Sequence, residues 1–146
     1  MTYITRINPI IVERTAAILP ATTNTPYFTV SGRVLITQIV GEVTTIFDGT
    51  GHNIKLINTT TIGADTDMCA VVGVTTEAVG SRFNITGTLA NAMVTTTSGA
   101  AISQASPLIV VDGTIDLDTS GTDTTGATKW TIHYIPLDSG STVVTA

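Results

Sequence analysis

Residues branched at Cβ dominate this chain: 31 threonines, 17 isoleucines and 14 valines among 146 residues. Such side chains lose χ1 freedom in a helix but sit well on a pleated sheet. The strong helix formers are scarce, with 7 leucines, 3 glutamates and 2 lysines. These choices predict an all-β fold with at most one or two short helical turns. The only stretch with a helical look is Leu89–Val94, and the Thr95-Thr96-Thr97 that follows stops it.

Periodicity points the same way. Trp130, Ile132 and Tyr134 alternate with Thr131 and His133; Phe83 and Ile85 alternate with Arg82, Asn84 and Thr86; Phe28, Val30, Val34 and Ile36 align around Gly32. A period of two puts one face on a core and the other toward water, as in antiparallel sheets. Leu108–Val111 is apolar at every position and reads as a central strand buried on both faces. Asp48-Gly49-Thr50-Gly51, between Val43–Phe47 and Asn53–Ile57, reads as a short hairpin turn. Further breaks at Gly63, Gly80, Gly99, Gly121 and Gly140 divide the chain into about eight to ten strands. The expected fold is a single-domain antiparallel β-sandwich or jelly-roll-like barrel.

The first 26 residues differ from the rest. Pro9, Pro20 and Pro26 interrupt the pattern, because proline lacks a ladder donor. Ile4, Ile7, Ile10, Ile11 and Val12 form an apolar stretch with little polar balance. Residues 1–26 therefore read as an extended arm with an edge strand, or as a first strand plus a loop covering the core. The body is expected over residues 27–146.

Charge is sparse. Six basic and eleven acidic side chains leave a net charge of −5 and a charged fraction of 12%, about half the usual share. A 15.1 kDa chain has roughly 7,000 Å² of accessible surface, so charges are spread at about one per 400 Å². Interface centres are depleted in charge, which predicts a homo-oligomer or a larger assembly. The acidic balance argues against nucleic acid and anionic membranes as partners. No apolar run approaches the ~20 residues of a membrane helix, and the start lacks a signal-peptide pattern. Cys69 is the single cysteine, so no intrachain disulfide forms and the composition suits a reducing cytoplasm.

Catalytic chemistry is poorly supplied, and the reading is non-enzymatic. No Gly-x-Ser-x-Gly, phosphate loop or zinc spacing occurs. His52 and His133 read as polar surface residues, and Cys69 as a buried structural thiol in Met68-Cys69-Ala70-Val71-Val72. Asp116 and Asp118 point the same way along a strand and read as its solvated face, with Ile115 and Leu117 turned inward. Asp116-x-Asp118-x-Ser120-Gly121 matches the first half of a calcium loop, but Ala127 stands where the bidentate glutamate belongs. No cofactor is expected. Trp130, Tyr134 and Phe83 fall on inward faces, which weakens a sugar-stacking module and leaves Tyr3, Tyr27 and Phe28 unplaced.

The closing segment, Gly113-Thr114-Ile115-Asp116-Leu117-Asp118 followed by Lys129-Trp130-Thr131-Ile132-His133-Tyr134-Ile135-Pro136-Leu137-Asp138, resembles small virion proteins of tailed bacteriophages. Within that group it is most similar to head decoration (cement) proteins. The resemblance covers roughly the last 40 residues and implies a compact β domain seated on an assembled capsid, commonly as a trimer. Its implied partner is the major capsid protein, and its implied location is the capsid surface of the virion after synthesis in the host cytoplasm. On this reading Ile4, Ile7, Ile10, Ile11 and Val12 are the expected assembly contacts. A receptor- or glycan-binding β-module of a tail or fibre is the alternative.

Overall fold

The computed structural model describes residues 8–97 and 100–146. In chain order the strands are β1 (Ile10–Ile18), β2 (Thr23–Ser31), β3 (Val34–Thr45), β4 (His52–Thr60), β5 (Thr66–Asp67) and β6 (Val72–Val74). They continue as β7 (Arg82–Asn84), β8 (Val94–Thr96), β9 (Leu108–Val110), β10 (Gly113–Gly121), β11 (Ala127–Pro136) and β12 (Thr142–Thr145). The described residues contain no helix. Two antiparallel sheets pack face to face as a sandwich and do not close into a barrel. The first runs β1-β11-β3-β7-β8, with β9 also on β3; the second runs β12-β2-β10-β4-β5, with β6 also on β4. The described residues hold twelve strands instead of the expected eight to ten, because several pairings last only two or three residues.

The chain changes sheet at most connections. β1, β3 and β11 belong to the first sheet, whereas β2, β4, β10 and β12 belong to the second. Asp48–Gly51 is therefore a crossover between sheets, not a hairpin. Gly32, with φ +72°, makes the equivalent crossing between β2 and β3. The expected boundary at residues 26/27 falls inside β2. Pro26 is tolerated there because Tyr27 is bulged out of the β2–β10 register and β12 covers β2 only from Phe28 onward. Ile10, Ile11 and Val12 belong to the edge strand β1; Ile4 and Ile7 lie outside the described residues. Leu108–Val111 is also an edge: β9 pairs with β3 on one side, and Ile109 is 62% exposed.

A column of rings crosses the core. Phe47 stacks on Phe83 at 6.3 Å, Phe83 on Trp130 at 6.3 Å, and Tyr27 meets Trp130 edge-on at 6.5 Å. The Arg14 guanidinium caps the column 3.9 Å above the Tyr27 ring. Trp130 fits because Gly41 lies beneath it; a Cβ there would meet the indole at 2.7 Å. Around the rings pack Ile36, Ile39, Ile54, Leu56, Ile115, Leu117 and Ile132, all fully buried.

Candidate functional site

The sheet pairings arrange the outer face of the first sheet in rows, because residues directly opposite in antiparallel strands share a face. One row is Ile109–Leu35–Ile135, and the next is Gln38–His133–Ile11. Beyond them come Val40, Thr131 and Glu13, then Arg82, Glu42 and Lys129. Ion pairs gather in this last row, where Glu42 lies 3.6 Å from Arg82 and 3.9 Å from Lys129. The end bearing Ile109, Leu35, Ile135 and Ile11 is apolar, and Ile11 is 62% exposed. The pattern arises because β3, β9 and β11 each place a β-branched residue or leucine at an outward position.

The outer face of the second sheet is of opposite character. Lys55 contacts Asp67 at 2.9 Å and Asp118 at 3.7 Å. Asn53 donates to the Ser120 hydroxyl at 3.4 Å, and Thr59 donates to Asp116 at 2.7 Å. Asp116 is buried, not solvated: it lies on the central strand between β2 and β4, and its second oxygen has no partner. Asp116, Asp118 and Ser120 follow one another along the extended β10 instead of wrapping into a loop. Asp118 is engaged by Lys55. Asp123 is committed to backbone amides of Asp48, Thr125 and Gly126. Among the described residues no three His, Cys, Asp or Glu side chains gather as a metal site.

Two further residues of chemical interest sit inside the sandwich. Cys69 is fully buried as expected, and its sulfur accepts a hydrogen bond from the Leu56 amide at 3.4 Å. Burial pushes its thiol up to about 11, so almost no thiolate exists at neutral pH. His52 is buried rather than on the surface, because β4 turns it inward with Ile54 and Leu56. Neither ring nitrogen has a hydrogen-bond partner. His133 lies on the outer face of the first sheet, half-buried.

Tyr27, Phe28, Phe47, Phe83, Trp130 and Tyr134 are all buried, so none offers a stacking platform; Tyr3 lies outside the described residues. The sidedness of the sandwich was missed by sequence reasoning. The alternations at Leu35, Ile109 and Ile135 signal it weakly, but only the strand pairings bring these three residues into one row. Neither a protein-family model nor a curated protein matches the chain.

Proposed function

We propose that this is a non-enzymatic virion structural protein, a decoration or cement protein that binds the assembled head of a tailed bacteriophage and reinforces it. The observation that carries the reading is sidedness: an apolar, charge-poor row on one sheet, opposed by a hydrated, ion-paired face on the other. Cement proteins need one surface to lie on a repeated lattice and another to meet water. The major capsid protein is the partner that the apolar row would meet. Homo-oligomers, trimers in the simplest case, would match the repeating sites of a shell. Low charge density over an accessible surface of 7293 Å² supports burial in an assembly. The tail- or fibre-module alternative gains no support from the six buried aromatic residues.

The test is co-sedimentation with undecorated heads of the phage that encodes the protein. Ile135→Glu places a carboxylate in the apolar row, directly beside Leu35. Desolvating that charge is expected to weaken head binding by about 100-fold or more. Lys55→Ala, on the opposite face, is expected to leave binding within about twofold. Equal binding by Ile135→Glu and wild type, with both folded, would remove the apolar row from the contact. Failure of the wild-type protein to bind heads would remove the cement role.

A further inference from the structure

The chain has two histidines, and the fold treats them oppositely. His52 is buried inside the sandwich, whereas His133 stands on the outer face of the first sheet. β11 is held between β1 and β3, so His133 lies within the sheet and not at its edge. Ile11 is directly opposite it on β1, and Gln38 on β3. Ile135 follows two residues along the same strand and shares its face, and Leu35 is level with Ile135. The imidazole is therefore bordered on two sides by residues of the apolar end. The backbone is pinned at this point: the β3–β11 register shifts between His133 and Tyr134, and the Thr37 hydroxyl donates to the His133 carbonyl at 3.1 Å.

Few charges surround the ring. On β1 the nearest is Glu13, which is opposite Thr131 and so diagonal to His133, a separation of about 7–8 Å between positions. Arg14, the next residue of β1, turns inward to Tyr27. On β3, Gln38 is neutral, and its Oε1 accepts from the Gln104 amide at 2.9 Å. Lys129, Glu42 and Arg82 lie two rows away and engage one another. Arg33 and Asp138, past the other end of the apolar row, are paired together at 2.6 Å. No ion pair among the described residues includes His133.

We propose that His133 makes the contact of this face pH-dependent: the neutral ring is covered together with the apolar row, and the protonated ring keeps the face from seating. This rests on the proposal that the row is the surface that meets the capsid. Histidine ordinarily changes charge between pH 5 and 8. A neutral imidazole is covered beside Ile11 and Ile135 at the cost of its water contacts alone. An imidazolium brings a charge whose desolvation nothing in the row offsets. On the free protein that charge stays hydrated, with Glu13 as the nearest carboxylate. A proton taken up by the free face and refused by the covered one weakens binding as pH falls.

Co-sedimentation of the full-length chain with undecorated heads at about pH 8 and about pH 5.5 tests it. Wild type is expected to bind about tenfold or more weakly at the lower pH. His133→Gln keeps a polar side chain of similar length but takes up no proton, and its binding is expected to change by less than about twofold. Titration of the buried His52, or of the heads themselves, would weaken both proteins alike, so an equal loss in wild type and His133→Gln overturns the inference. So does wild-type binding that is unchanged or stronger at the lower pH. Ile135→Glu reports separately. Tight binding that Ile135→Glu abolishes and acid leaves alone keeps the cement role and removes only the part assigned to His133. Wild type that binds at neither pH removes both.

Discussion

Trp130→Ala is expected to lower the unfolding free energy by about 3–5 kcal/mol, a drop of about 10 °C or more in melting temperature for a domain of this size. Trp130 is the largest fully buried side chain and the central ring of the aromatic column. Its removal leaves Phe83 and Tyr27 facing a void and deprives the Thr128 hydroxyl of the indole donor at 3.1 Å. Neighbouring strands are held by β11 pairings on both sides, so the void cannot close easily. Gly41→Ala tests the same packing from the other direction. Gly41 has no positive φ, so the strain arises only from its Cβ meeting rigid indole carbons at 2.7 Å. About 1–3 kcal/mol of overpacking is expected. In the double variant the methyl group added at position 41 occupies space vacated by the indole, so the combined loss is smaller than the sum. Additive thermal or denaturant unfolding would show that the two residues do not share this contact.

The core was legible in the sequence because burial follows alternation. Trp130, Ile132 and Tyr134, and Phe28, Val30, Val34 and Ile36, all lie inside. Which strand pairs with which was not legible. Asp48-Gly49-Thr50-Gly51 has hairpin chemistry, yet its flanking strands each find a better partner elsewhere: β3 pairs with β11 over ten residues and β4 with β10 over nine. A local turn signal states only that the chain reverses, not whether it reverses within a sheet or across the core. The same limit explains Leu108–Val111. An unbroken apolar run reads as buried on both faces, but β9 is the wall of an open cleft, and its outward Ile109 belongs to a surface row. His52 and Asp116 were misplaced for a related reason. Polarity predicts exposure on average, whereas their positions are set by strand phase and by flanking strands on both sides.

The candidate surface was less legible than the core. Ile11, expected as an assembly residue, lies on the outer face in the edge strand β1. Leu35, Ile109 and Ile135 are separated by 74 and 26 residues of chain, and nothing local connects them. Their shared row exists only because β9 and β11 flank opposite sides of β3. A surface of this kind is a property of pairing, and pairing is long-range in a fold whose connections cross between sheets.

Asp123→Ala is expected to cost about 3 kcal/mol, despite removing only a small side chain. Asp123 is buried in the β10–β11 loop, where one oxygen accepts from the Asp48 amide at 2.7 Å and the other from the amides of Thr125 at 2.9 Å and Gly126 at 2.6 Å. Asp48 reciprocates by accepting from the Thr124 amide at 3.2 Å. The two carboxylates thus staple the β3–β4 crossover to the β10–β11 crossover, and Gly126 sits where a Cβ would strike Phe47. Asp123→Asn is expected to recover only part of the loss, because its amide nitrogen must face a backbone N–H on one side. The staple also has an acid dependence with a defined sign. Hydrogen bonds from the Thr50 hydroxyl and amide, then from Thr124, hold the Asp48 carboxyl down at about 2, below its usual value near 4 in an unfolded chain. Its contribution is therefore complete above about pH 4 and is lost as pH falls toward about 2. Urea unfolding at pH 7 and pH 2.5 checks both statements. The stability gap between wild type and Asp48→Ala should be clear at pH 7 and narrow at pH 2.5. A gap that is unchanged, or that widens in acid, would mean the crossovers are not joined through these carboxylates.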